Sequence, residues 1–456
     1  MASPPVPHPH GMGSFWRESP GNLNDHRTTE NLPAEADIVI IGGGFAGAAS
    51  ATHLIDHPTF TESKPSIVVL EARQLCSGAT GRNGGHLKPD SYSFISVLAE
   101  RYGLKAAAEV ANFEAANVHA VTDLIRRKKI DCDFVLTRAI DVDMSTAIHR
   151  RLKTRLTELA NAGVEASKNT YCGSEDHAER LSGVKGAKGM MSFTAGHLWP
   201  YKLIHALFSD AVMRGVNLQT HTPATSMTEA GDGSWAIETP RGTIRAKKVI
   251  VATNAYTAAL LPEYKNKIIP YRGAVAHIKT PGPAPFLPNT YTLRFSNWDF
   301  DYLIPRPDGS IIVGGARSAY LHDKQSWYGN VDDSGIIAST RTYFEGYMQR
   351  HFHGWENSGA YVVDTWSGIM GYSADRLPRL GPVPGRSGVF IMAGFTGHGM
   401  PQVLLCSKGV ADMVMSGIAF KDTGIPSLFE ESVERLIDPR NLVEEIHTKN
   451  FPKANL

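Results

Sequence analysis

The chain has little cysteine. Its four, Cys76, Cys132, Cys172 and Cys406, stand far apart and form no C-x-x-C. That excludes a disulfide framework or a cysteine zinc site, and it suits a reducing compartment. No apolar run reaches the roughly 18 residues of a membrane-spanning helix. The first thirty residues lack the apolar centre of a secretion signal. Neither sign of charge is in excess: 46 Lys and Arg against 45 Asp and Glu leave +1. No nucleic-acid or membrane partner is therefore expected, nor is a metal centre. Internal repeats are lacking too. What the 456 residues do have is 42% apolar content, enough for a large core, and 43 glycines, many in short clusters.

Residues 1–35 form a proline-rich arm whose one apolar anchor is Phe15-Trp16. Residues 37–41 are a continuous apolar run ending in glycine, the pattern of a buried parallel strand. A small-residue helix over 45–56 and a second buried strand over 67–70 follow. Helical spacing recurs over 95–127, 145–162, 199–214 and 335–351. Short strands fill 217–252, with hairpin turns at Asp232-Gly233 and Arg241-Gly242, and again 268–318. A last strand at 389–393 enters a glycine turn and a helix over 401–416. The expected class is α/β: a Rossmann-like cofactor domain with an inserted antiparallel-sheet substrate domain. The expected division is an arm at 1–35 and a cofactor domain at 36–110, 195–267 and 355–420. The substrate domain takes 111–194 and 268–354, and a tail takes 421–456.

Gly42-Gly43-Gly44-Phe45-Ala46-Gly47 fits G-x-G-x-x-G between strand and helix. Gly42 permits the tight turn, Gly44 leaves room for a pyrophosphate, and Gly47 lets helix and strand approach. The helix N-terminus offers free N–H groups and a positive dipole end. Glu71, closing the second strand, can accept hydrogen bonds from ribose hydroxyls and would repel a 2′-phosphate. A second glycine loop, Ser77 to His86, follows directly. An NAD enzyme would have a helix there, whereas FAD is longer and needs a second backbone cradle.

At this point the sequence resembles the FAD-dependent amine and amino-acid oxidoreductases that include D-amino acid oxidase, glycine oxidase and sarcosine oxidase. It lies nearest their γ-glutamylputrescine oxidase branch. The resemblance rests on Phe15 to Glu18, the strand-loop-helix at 37–56 with Glu71, the loop 78–85 and the run 366–399. Residues 249–256 and 302–309 match as well. It implies that FAD is held by Gly42, Gly44, Phe45, Ala46, Gly47, Glu71, Ala72 and Arg73. From the second loop it adds Ala79, Thr80, Arg82, Asn83, Gly84, Gly85 and His86. Later segments would add Ala224, Ala252, Thr253, Gly368, Gly394, Thr396, Gly397, His398, Gly399 and Met400.

The resemblance also implies oxidation of a C–N bond of a primary or secondary amine, with oxygen as acceptor and hydrogen peroxide as product. Arg82, His86, Arg272 and His398 are the candidate catalytic residues. For Arg82 a place at the flavin edge and a bond to loop carbonyls stay open; His86 either faces the flavin or closes its loop. Trp298, Tyr302, Trp366 and Met370 are the candidate substrate walls. Asp299 and Asp301 share one strand face, either to receive a cationic amine or as a solvated edge. Arg306 and Arg317 are candidates for a substrate carboxylate or for surface acids.

Two positions depart from the sarcosine oxidase pattern. No cysteine stands in 366–375, so FAD is expected to be non-covalent unless His86, Cys76 or Cys406 bonds it. The position of an oxygen-activating lysine looks like Ile312, which keeps a dehydrogenase, or an oxidase of a D- or N-methyl amino acid, open. So does a silent flavoprotein acting as a binding factor. The end, Ala454-Asn455-Leu456, resembles a degenerate peroxisomal address on a mobile tail, with a cytoplasmic location as the alternative.

Overall fold

In the computed structural model, which describes residues 4–451, the run at 37–41 lies at the centre of a parallel sheet. In chain order the elements that matter are β1 (Glu35–Ile41), α1 (Phe45–Asp56), β2 (Ile67–Leu70), α2 (Ser93–Tyr102), α3 (Leu104–Lys128), β3 (Val135–Asp143) and α4 (Thr146–Asn161). Then come β4 (Gly189–His197), α5 (Pro200–Met213), β5 (Asn217–Gln219), β6 (Gly242–Val251), β7 (Ile268–Lys279), β8 (Thr290–Arg294), β9 (Phe300–Pro305) and β10 (Ile311–Gly315). The chain closes with β11 (Tyr361–Ser373), β12 (Arg379–Pro382), β13 (Val389–Ala393), α6 (Val403–Ser416) and α7 (Leu442–Asn450).

The first sheet runs β12-β13-β6-β1-β2-β5 with β12 antiparallel, and the hairpin of Ser226–Glu229 and Trp235–Thr239 joins it antiparallel along β6. Both faces are covered, which is why β1 has no polar alternation. Ile38 and Ile40 face a core with Ala48, Ala51 and Leu54 of α1, while Val39 and Ile41 face Ile237 and Ile244 on the other side. The small side chains of α1 let it lie close to α6 and the strands.

The second sheet runs β11-β7-β10-β9-β8-β3-β4 and ends on the two-residue strand His86–Leu87. It is mixed rather than wholly antiparallel, because β8 and β3 run parallel. The expected blocks also need redrawing. β11 falls within 355–420 yet pairs with β7 along its length, so it belongs to the second sheet. The end of β4, at 195–197, does too. The helical pattern at 95–127 is two helices broken at Gly103, whose φ is +86°. Residues 335–351 form only a 3-10 turn at Ala338–Thr340 and the short helix Tyr347–His351, parted at Gly346, whose φ is +62°. No described helix is long and apolar enough to cross a membrane.

The tail is the largest surprise. Its polar run from His447 suggests a mobile end, but residues up to Phe451 are docked. His447 hydrogen-bonds the Leu321 carbonyl at 2.8 Å and lies against Trp327 and Phe451. Phe451 meets Trp298 edge-on, with 4.7 Å between centroids. The stretch is polar because its other face is solvated: Glu444 pairs with Lys324. Residues 454–456, which carry the address, lie outside the described residues.

Candidate cofactor and substrate site

A cavity of about 1260 Å³ runs between the two sheets. Its inner end is built by the first glycine loop. Gly42 turns the chain at φ +123° and its amide donates to the Leu70 carbonyl at 2.8 Å. A Cβ at Gly47 would overlap the Gly42 carbonyl oxygen, so this glycine serves helix–strand contact. Gly44 differs. Its nearest neighbour in the Cβ direction is Thr80 Oγ1 at 3.3 Å, and that loop wall is otherwise open. Thr80 Oγ1 accepts the Phe45 N–H at 3.1 Å and fastens the second glycine loop to the first.

Glu71 accepts the Gly43 N–H on Oε2 at 2.7 Å and the Arg73 N–H on Oε1 at 2.9 Å. Each oxygen keeps a free lone pair, so the carboxylate can both hold the loop and receive hydroxyl donors. An open glycine cradle at a helix N-terminus, an acceptor one strand away and a long cavity beyond them fit an adenine dinucleotide ending in a larger ring system.

Of the residues expected to hold it, Gly42, Gly44, Phe45, Ala46, Glu71, Ala72, Arg73, Ala79, Thr80, Arg82, Asn83, Gly84 and His86 line the cavity. So do Ala224, Ala252, Thr253, Gly368, Thr396, Gly397, His398, Gly399 and Met400. Gly47, Gly85 and Gly394 do not. Gly85 (φ +76°) accepts from the Leu198 amide, and Gly394 (φ +73°) donates to Asn254 Oδ1; both shape their turns. The helix after the C-terminal glycine turn starts at Val403, with Gln402 as its cap, two residues later than the expected 401.

The expected catalytic residues part company. Arg82 is buried and committed to loop carbonyls: it donates to Ser77 at 2.8 Å, to Ser367 at 2.9 Å and to Met12. Its Nε lies 3.4 Å from Asp333, which also grips Arg73 at 2.9 and 3.0 Å. Burial lowers the Arg82 guanidinium to about 10. Arg272 is not at the cavity. It projects from the far side of β7 to the Gly335 carbonyl, because neighbouring Tyr271 and Gly273 take the cavity face. A catalytic role for Arg272 is thereby corrected.

His86 lines the cavity edge-on to Tyr302, and Nε2 has no partner. Burial drives its ring down to about 3, so it is neutral. Burial opposes charge on His398 as well, but Glu114, 2.9 Å away, raises it overall. Glu114 also accepts from Gln402 and from the Asp90 amide.

Trp298, Tyr302 and Met370 line the substrate end. Trp366 does not; it is fully buried and its indole N–H donates to the Arg82 carbonyl, a core role that corrects the expected wall. Arg306 turns away to Asp133 and the rings of Phe15, Trp16 and Trp199. Asp299 and Asp301 face backbone amides rather than the cavity.

Sequence reasoning missed the aromatic set Tyr271, Tyr320, Tyr372 and Trp327, and the cation Arg376, while Arg317 was among its candidates for a substrate carboxylate. Arg317 lies 4.1 Å over the Phe300 ring, and Arg376 lies 4.7 Å over Phe94. Both line the cavity, and among the described residues neither has a carboxylate in salt-bridge contact. No spacing in the sequence announces Arg376, which sits at φ +67°, a conformation arginine rarely adopts. Lys88 and Arg294 also face the cavity but share Asp141. Pro7 and Pro9 of the arm, and Val443, Ile446 and Phe451 of the tail, complete the wall.

This chain belongs to the FAD dependent oxidoreductase family (DAO), which matches residues 37–413, and its cofactor is FAD. It is similar to gamma-glutamylputrescine oxidoreductase of Escherichia coli (strain K12), 23% identical over 393 residues covering 85% of each chain. The probable oxidoreductase OrdL of Rhizobium meliloti is 25% identical over 382 residues, 84% of this chain and 83% of that one. Among solved structures, glycine oxidase from Geobacillus kaustophilus shares the fold with a TM-score of 0.68 at 21% identity, covering 84% of this chain and 95% of that one.

Proposed function

We propose that this enzyme oxidises the C–N bond of an amine that also carries a carboxylate, with non-covalently held FAD. The observation that carries this reading is Arg317, a guanidinium facing an aromatic cavity without a carboxylate of its own, with Arg376 beside it. Such a group matches an anionic substrate arm. Relatives named for gamma-glutamylputrescine, dimethylglycine and glycine support the amine.

The second glycine loop, Glu71 and the turn at 396–400 would hold the cofactor. When bound, FAD would supply a two-electron acceptor for the hydride of the substrate's α-carbon, with oxygen as the terminal acceptor in this reading. The chain's own residues orient and select. Arg317 and Arg376 bind the carboxylate, and the rings of Tyr271 and Tyr372, stacked 4.2 Å apart, wall the apolar part. Lys88, Arg294, Arg317 and Arg376 disfavour an ammonium nearby, so the amine is held deprotonated and ready to lose hydride. Of the groups that might bond FAD covalently, Cys76 and Cys406 do not line the cavity, and burial pushes the Cys76 thiol up to about 12.

A second reading, a dehydrogenase using another acceptor, is favoured by Ile312. It is fully buried in the core and brings no amine to the site. A peroxisomal address would suit the peroxide-forming reading, and a cytoplasmic place the other. The test begins with the visible spectrum before and after acid precipitation. Yellow colour released to the supernatant supports non-covalent FAD. Anaerobic bleaching by an amino acid, followed by peroxide in air, supports the oxidase; bleaching with slow recovery in air and fast recovery with a dye supports the dehydrogenase. No bleaching by any carboxylated amine would overturn both.

A further inference from the structure

The guanidinium of Arg317 is aimed by two carboxylates that never reach the cavity. β9 presents Asp299, just before it, and Asp301 on one face. Asp301 Oδ1 accepts the Ala316 N–H at 2.7 Å, and Asp299 Oδ1 accepts the Ser318 N–H at 3.2 Å. The two bonds bracket residue 317. Between them Ala316 is held at φ +55°, a left-handed conformation that alanine adopts only under constraint. Gly315 before it has φ +128°, and a Cβ there would overlap Asp301. The chain thus leaves β10 through a forced turn that swings Arg317 over Phe300, with Nη2 3.3 Å from the Tyr372 hydroxyl and Nη1 3.4 Å from the Trp298 carbonyl.

We propose that Asp299 and Asp301 are positioning residues that aim Arg317 into the cavity and thereby set the affinity for the substrate's anionic group. This rests on Arg317 receiving that group. Asp301 is fully buried, and its second oxygen accepts the Tyr343 hydroxyl at 2.8 Å. Tyr347 faces it from the same segment, Asp299 from beside its own strand and Tyr302 from the next position; Arg317 lies near Asp299. Burial raises the Asp301 carboxyl to about 7. Ionised, it accepts from both Ala316 and Tyr343. Protonated, it keeps an oxygen for the Ala316 N–H but loses the charge that strengthens the bond, so the turn is held less firmly as pH falls through about 7.

The test uses the FAD-loaded enzyme and anthranilate, a small aromatic amino-carboxylate, followed by perturbation of the flavin spectrum. In the wild type the apparent Kd should tighten about tenfold from pH 6 to pH 8, as the competent fraction rises. Asp301→Asn keeps an acceptor for the Ala316 amide and nearly the same volume. Like the protonated acid it carries no charge, so it should bind at both pH values about as weakly as the wild type does at pH 6, with the pH step gone. Asp301→Ala should bind about tenfold more weakly at pH 8 than the wild type, if it folds. Arg317→Met should bind weakly throughout. A wild-type Kd that ignores pH, or a pH step that survives in Asp301→Asn, overturns the clamp while leaving the carboxylate reading intact. If Arg317→Met binds as tightly as the wild type, or the wild type binds no anthranilate, the anionic subsite itself falls and the clamp with it.

Discussion

Glu71 Oε2 lies 2.7 Å from the Gly43 amide, so the carboxylate that can face a ribose also ties β2 to the phosphate loop. This double duty gives a prediction. Glu71→Gln keeps the side-chain length but offers one acceptor oxygen instead of two, and no charge. Loss of a charge-assisted bond of this kind costs about 1–3 kcal/mol. FAD should dissociate more readily, and the apoprotein should also melt earlier, because the loop loses its tie. Flavin fluorescence on dilution measures the first and calorimetry of the apoprotein the second. If FAD affinity falls while the apoprotein is unchanged, the tie contributes nothing to the fold.

Gly44 and Gly47 separate ligand room from packing. In Gly44→Val the new Cβ meets only Thr80 Oγ1 within 4 Å, at 3.3 Å, so the apoprotein should fold. The added side chain enters the cradle and should give a colourless, folded protein. Gly47→Val overlaps the Gly42 carbonyl, within the α1–β1 contact, and should yield little soluble protein. Circular dichroism and flavin absorbance read the pair. A yellow Gly44→Val variant would mean the pyrophosphate lies elsewhere.

Asp333 joins Arg73 and Arg82 in a buried triad, and the Met12 amide donates to its carbonyl at 2.8 Å. It therefore fastens the N-terminal arm and the 330–335 loop over the second glycine loop. Breaking one partner of a buried charge pair typically costs about 3–5 kcal/mol. Asp333→Asn should lower the melting temperature markedly and speed FAD release, measured by thermal scans and flavin fluorescence. Unchanged release would show that the arm plays no part in retention.

How much of this was readable in advance follows from range. The glycine loop, Glu71 and the second loop are local patterns in which each residue answers a backbone or ligand demand nearby, and all but three of the expected FAD residues face the cavity. Arg272 and Trp366 were misjudged because alternation says that neighbours face opposite ways, not which face is the cavity. The Asp301–Ala316 bond joins residues on different strands, so no spacing announces it. α7 was missed because a helix docked by a few aromatic contacts reads as polar tail.

His398 and Glu114 give a pH prediction. The histidine is raised above its ordinary value, so the pairing stabilises the fold fully below the unfolded value of 6.5 and loses that contribution as pH rises through the raised value. Glu114→Gln removes the ionic part and keeps an acceptor. The melting temperature of the wild type should exceed that of Glu114→Gln most near about pH 6, and the gap should narrow as pH rises through the raised value. A gap that does not change with pH would mean that His398 stays neutral.

The docked tail makes the last case. Phe451 and His447 stand between Trp298, Trp327 and solvent, and Val443 and Ile446 line the cavity beneath them. Removing the chain from residue 442 onward should expose these rings and open the substrate end, while the glycine cradle, on the opposite side of the cavity, stays intact. FAD should remain bound. Iodide should quench flavin fluorescence more strongly, and KM for a small carboxylated amine should rise more than kcat falls, because orientation is lost before chemistry. Phe451→Ala should show the same direction at lower amplitude, with a stability loss of about 1–3 kcal/mol from the buried ring area. If quenching and KM both match the full chain, the tail covers the surface without shaping the site.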